Sequence, residues 1–277
     1  MQILYPYQTL HFQTRMQTDT HQNRTAVNLV IDWGNSSLKV GWFTGDTLLK
    51  TARYSTPAEL LAAVNNCTID YALVSSTNRP DNDIRVQLTS LTADLLILSS
   101  QTPVPIRNAY DTPTTLGTDR IAAAVGALAL FPDRNCLVFD LGTCLTADFL
   151  DQDAVFQGGL ISPGLRMRFR AMHEQTARLP LVDLPEEWPD LPARNTQQAM
   201  QSGVVNGLLF EMNGIIGTYR QKWPDLTVLA CGGDVSVFES RLKPPIFAVS
   251  ELVLIGLNRI LRYNVENLQA NTPDVNA

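Results

Sequence analysis

The residues best placed to do chemistry in this chain lie in two segments that repeat one pattern, VIDWGNSSLKVGWF at 30–43 and VFDLGTCLTADFL at 138–150. In each, an apolar strand ends in Asp-x-Gly and passes through a small polar turn into a second strand. The first copy reads Asp32, Trp33, Gly34, Asn35, Ser36, Ser37, Leu38, Lys39; the second reads Asp140, Leu141, Gly142, Thr143, Cys144, Leu145, Thr146. A glycine in such a turn lets the backbone come close to a ligand, so that successive N–H groups can converge on phosphate oxygens. A carboxylate at the mouth of a phosphate site is repelled by it unless a cation stands between them. Asp32 and Asp140 therefore read as groups facing metal ions or metal-bound water, with Lys39 placed to neutralise phosphate. One such turn is ordinary hairpin chemistry. Two in the same order imply two lobes facing one nucleotide.

The elements that must hold these turns alternate between strand and helix. Strands at 27–32 and 38–43, a helix at 57–65, a strand at 70–75, a helix at 82–91 and a strand at 94–98 make an α/β unit of mixed sheet order. A Pro- and Thr-rich loop at 102–116 then opens into Gly117-Thr118-Asp119-Arg120 and an alanine-rich helix. Strands at 136–141 and 145–150, a glycine-rich turn at 158–164, a helix after Pro163, a long helix at 196–219, a strand ending in Gly232-Gly233 and a helix at 250–262 complete the pattern. The expected organisation is an extension over 1–26, with Met16 as an alternative start, lobes at 27–117 and 118–264, and a flexible tail at 265–277.

Composition narrows the class. At 277 residues, 45% hydrophobic and 17% charged, the chain suits two domains of an ordinary soluble protein. A net charge of −6 argues against a broad nucleic-acid surface. The longest apolar run, 121–131, is too short for a membrane span, and residues 1–26 lack a secretory core, so a cytoplasmic protein is expected. Cys67, Cys136, Cys144 and Cys231 form no Cys-x-x-Cys pair, and His11, His21 and His173 form no metal set.

Two Asp-x-Gly hairpins followed by a strand-Gly-Gly-Asp turn resemble the actin-like ATPase superfamily, a duplicated ribonuclease H-like two-lobed α/β fold that binds ATP in its cleft. Four further pieces give a narrower resemblance, to type III pantothenate kinase. They are Tyr110 with Gly117-Thr118-Asp119-Arg120, the Asp140–Thr146 hairpin, Gly158-Gly159-Leu-Ile-Ser-Pro-Gly164, and Asn195-Thr196 opening the long helix. This likeness covers about Asn28 to Arg262. Ser36 stands where the family often has threonine, and Cys144 where it commonly has alanine.

The resemblance implies ATP-dependent phosphorylation of pantothenate by a homodimer, the first step of coenzyme A synthesis. ATP would lie on residues 32–39, Thr143, Gly232 and Gly233, with Mg2+ and a monovalent cation, K+ or NH4+, near Asp140 and Asp32. Tyr110, Gly117, Thr118, Asp119, Arg120 and a partner's Thr196 would hold pantothenate. By itself, Asp119 in a first helical turn is also an ordinary partner of the helix dipole; the resemblance makes it the general base. The alternatives are another actin-like kinase, acting on a sugar or short carboxylate, and a nucleotide-binding regulator without turnover.

Overall fold

The computed structural model describes residues 26–76, 79–92, 94–242 and 246–270. Each Asp-x-Gly turn sits at the end of a central strand in its own mixed sheet. The first sheet contains β1 (Val27–Trp33), β2 (Leu38–Thr44), β3 (Thr47–Tyr54), β4 (Tyr71–Ser76) and β5 (Leu95–Ile97), in the order β3-β2-β1-β4-β5. The second contains β6 (Arg107–Asn108), β7 (Cys136–Leu141), β8 (Cys144–Leu150), β9 (Val155–Pro163), β10 (Thr227–Cys231) and β11 (Phe247–Ala248), in the order β11-β10-β7-β8-β9-β6. The repeat is structural as well as sequential. β1 pairs antiparallel with β2 and parallel with β4, and β7 pairs antiparallel with β8 and parallel with β10.

Strand periodicity decides which way the two carboxylates face. Leu29, Ile31 and Trp33 pack into a core beneath α1 (Pro57–Val64) and α2 (Asp81–Leu88), and Leu137, Phe139 and Leu141 into one beneath α4 (Leu165–Glu174), α5 (Thr196–Lys222) and the short α6 (Val235–Phe238). Val30 and Val138, one residue out of phase, enter a third core built on α3 (Thr118–Leu130) and α7 (Leu252–Ala270). Because side chains alternate along a strand, Asp32 and Asp140 lie on the same faces as Val30 and Val138, both turned toward that shared core. Gly126 and Gly256 let α3 and α7 touch backbone to backbone, since a Cβ on either would overlap a carbonyl of the other helix. That crossing fixes the start of α3, which carries Asp119.

Two expectations are corrected, and one strand was missed. The 158–164 segment is not a turn: it forms most of β9, with a bulge where Phe149 pairs Gly158 and Leu150 pairs Phe156. Gly159 and Gly164 mark close backbone approach, the other meaning of glycine in a strand, and Gly158 supplies a φ of +96°. Residues 265–270 continue α7 rather than fraying, helped by the Arg262–Glu266 pair at i, i+4 and by Arg259–Glu266. β3 was not foreseen, because as an edge strand with an exposed face it shows little apolar alternation. Most of the proposed extension, with Met16, and the last seven residues lie outside the described residues.

Candidate active site

The first turn is closed by Gly34 N–H donating to Ser37 O at 3.1 Å, which leaves Asn35 and Ser36 exposed. Trp33 and Leu38 are buried in the outer core, so their side chains anchor the hairpin and only their backbones remain for a ligand. Asp32 and Lys39 face each other across the β1–β2 ladder. Burial raises the Asp32 carboxyl above the ordinary range; Lys39 opposes this and Asp119 reinforces it.

The second turn is built alike. Gly142 N–H donates to Cys144 O at 3.0 Å, and Thr143 is exposed. Burial, with Asp119 next, pushes the Asp140 carboxyl up to about 6, and Lys39, Asp32 and Asp148 also act on it. Gly232 presses on Asp140 from β10: its φ is +98°, and a Cβ there would come within 2.5 Å of Asp140 Oδ1. A side chain at 232 is therefore excluded twice, by conformation and by contact. Gly233 meets nothing within 4 Å and leaves its backbone open.

Asp119 belongs to the same electrostatic group, because its charge acts on both Asp32 and Asp140. Its Oδ1 accepts the Arg120 N–H at 2.8 Å in the first turn of α3. Thr118 Oγ1 meets Ser75 Oγ at 2.9 Å, tying this turn to the end of β4. Two hairpins and a helix start thus bring Asp32, Asp119, Asp140 and Lys39 together from positions spread over a hundred residues of chain.

Arg120 and Asp148 form a buried pair beside them. Arg120 Nε donates to Asp148 Oδ1 and Oδ2 at 3.0 and 3.1 Å, and Nη2 also donates to Oδ1. The guanidinium lies 5.6 Å from the Tyr110 ring centroid and 5.8 Å from that of Phe156. Burial opposes its charge, but Asp148 and Tyr110 together outweigh burial and hold Arg120 above the usual arginine range. Gly159 makes room for the pair, since a Cβ would stand 2.5 Å from Asp148 Oδ1. Asp148 escaped the sequence reading. Its only signal was an acid inside the mostly apolar strand LTADFL.

Thr196 is exposed at the first turn of α5, where Asn195 Oδ1 caps the helix by accepting the Gln198 N–H at 2.9 Å. Among the described residues, no hydrogen bond joins it to Tyr110, Asp119 or Arg120. His173, on α4, meets the Leu179 carbonyl at 2.8 Å and lies in an exposed setting.

The raised Asp140 gives a pH prediction for the free protein. A carboxyl that titrates near 6 when folded and near 3.8 when unfolded penalises folding above pH 6, and the penalty fades as pH falls toward 4. The unfolding free energy of wild type minus that of Asp140→Asn should therefore drop by on the order of 3 kcal/mol between pH 4 and 7.5, read by urea titration. A difference independent of pH would mean that Asp140 is not so perturbed.

Known proteins similar to this chain cover most of its length. The family model of type III pantothenate kinases matches residues 28–218. The type III pantothenate kinase of Cytophaga hutchinsonii is 47% identical over 239 residues, 86% of this chain and 100% of the relative. That of Bacteroides fragilis is 41% identical over 240 residues, 86% of this chain and 98% of the relative. Among solved structures, a ROK hexokinase from Thermus thermophilus is similar with a TM-score of 0.54 at 14% identity, covering 87% of this chain and 99% of the other. A Baf family protein from Campylobacter jejuni is similar with a TM-score of 0.53 at 19% identity, covering 86% and 99%. The structural likenesses carry the fold alone, the two-lobed arrangement of actin-like sugar kinases.

Proposed function

Because this chain belongs to the type III pantothenate kinase family, we propose that it transfers the terminal phosphoryl group of ATP to the primary hydroxyl of pantothenate, the first step of coenzyme A biosynthesis. The observation that carries this reading is the adjacency of Asp119 and Arg120 on the first turn of α3. One is a carboxylate that can take the hydroxyl proton; the other is a guanidinium that can fork onto the pantothenate carboxylate. Asp148 engages Nε and Nη2 and so fixes the orientation of the Arg120 guanidinium beside Tyr110.

ATP and a divalent cation fit the donor set. Asp32 and Asp140 are buried carboxyls whose ionised forms burial disfavours, and around Asp140 the charges of Asp119, Asp32 and Asp148 stand against Lys39 alone. Among the described residues, no three His, Cys, Asp or Glu side chains form a ready metal cage. That suits magnesium, which is commonly held by one or two carboxylates together with substrate phosphates. Bound there, the cation would supply charge neutralisation at the phosphates. The chain's part is positioning: the two turns present backbone N–H groups and hydroxyls, Lys39 adds a positive charge, and Asp119 orients the hydroxyl and accepts its proton.

The monovalent cation is assigned to Asp140, where an oxygen-lined site beside the phosphates would relieve the same crowding of charge. Purified protein with ATP is expected to turn over pantothenate and not simple sugars or acetate, and to do so in potassium or ammonium buffers. Equal rates in sodium at matched ionic strength would remove the monovalent ion.

The pantothenate pocket is shared between two subunits in this reading. α5 buries Val204, Val205, Leu208, Met212 and Ile216 against its own sheet, yet Phe210 stays 58% exposed on another face. Cβ atoms on Gly203, Gly207, Gly214 and Gly217 would meet nothing, so much of this helix is uncovered by its own chain. A two-fold contact would cover it and bring the partner's Thr196 to Tyr110 and Arg120. Asp119→Asn and Thr196→Arg should each be poorly active, while mixed dimers recover part of the activity. No recovery in mixed dimers confirmed by mass would refute the shared pocket.

A further inference from the structure

Arg166, on the first turn of α4, has its guanidinium 71% exposed while its partner carboxylate, on Asp234, is only 8% exposed. Arg166 Nη1 donates to Asp234 Oδ1 at 2.5 Å. Asp234 follows Gly232-Gly233, and its own N–H donates to Leu141 O at 3.0 Å, inside the second Asp-x-Gly turn. From the other side Gly164 N–H donates to Thr143 O at 3.2 Å, and Gly164 packs so closely on the Gly142 and Thr143 carbonyls that no Cβ fits. The start of α4, the turn at 141–144 and the Gly-Gly-Asp turn are therefore one interlocked unit, and Arg166 is a cation standing out from it.

Charge and position suggest what this cation meets. Through Asp234, Arg166 is held against the Gly232-Gly233-Asp234 turn and the turn at 141–144. Asp234 uses one nitrogen of the guanidinium, and the fork's other donors face outward. A guanidinium so held is pre-oriented for bidentate contact with an anionic oxygen pair.

We propose that Arg166, oriented by Asp234, binds one of the phosphates that ATP and ADP share. This rests on the kinase reading above and adds a positively charged contact from the second lobe to the one that Lys39 makes from the first.

The test is Arg166→Gln, with Arg166→Lys as a second variant that keeps the charge and loses the fork. Arg166→Gln should raise the KM for ATP and the Kd for ADP, the latter by direct titration calorimetry, each about tenfold. The KM for pantothenate and the inhibition constant of adenosine should stay at wild-type values, and Arg166→Lys should fall between. Unchanged ADP affinity would overturn the proposal, and so would an equal loss for adenosine, which would place the guanidinium on the base. Thermal melts of the variants check that they fold. Wild-type protein that binds no ADP would refute the kinase reading itself, an outcome distinct from either of these.

Discussion

Asp119→Asn is expected to lower kcat with pantothenate by about 10²–10⁴-fold, the range a positioned general base contributes, while leaving ATP affinity near wild type. Asparagine is nearly isosteric and its side-chain oxygen can still accept the Arg120 N–H that now goes to Asp119 Oδ1. What it cannot do is take up the hydroxyl proton. The variant also carries an internal control. Asp119 raises the titration of both Asp32 and Asp140, so neutralising it should move both back toward ordinary carboxylate values and reduce the pH dependence described for Asp140. A near-normal kcat would remove Asp119 from proton transfer even if that electrostatic shift were seen.

Asp148→Ala is expected to destabilise the protein by about 3–5 kcal/mol, because it leaves the Arg120 charge buried without its partner. The loss should appear as a lower urea midpoint with little change in slope. Replacing both members by apolar residues, Arg120→Met with Asp148→Leu, should recover much of that stability, since a buried ion pair is often matched by a packed apolar pair. Pantothenate binding should not return with it, because no guanidinium remains for the carboxylate. The pair would then be separable into a fold role and a recognition role. A double variant as unstable as Asp148→Ala, or one that still binds pantothenate, would show that this division is wrong.

Much of the site was legible because its parts are local. The Asp-x-Gly turns, the helix opening at Gly117-Thr118 and the parity that puts Asp32 and Asp140 on the faces of Val30 and Val138 all follow from spacings of a few residues. The two lobes follow from repetition of the same short pattern. β9 was misread for a related reason: Gly158, Gly159 and Gly164 carry a turn-like local signal, while the contacts that require Gly159 and Gly164 lie on Asp148 and Thr143, in other segments of the chain.

The sequence by itself determined that two Asp-x-Gly turns begin two similar α/β units, and that a Thr-Asp-Arg helix start follows the first. Only the tertiary structure decided that Arg120 meets Asp148, 28 residues away, and that Arg166 meets Asp234, 68 residues away. The reason is physical. Turn chemistry and strand alternation act over a few bonds and leave a pattern in the chain, whereas an ion pair between separate elements depends on sheet order and helix docking. Those are set by how apolar faces bury against one another, and many arrangements of the charged residues are compatible with the same faces.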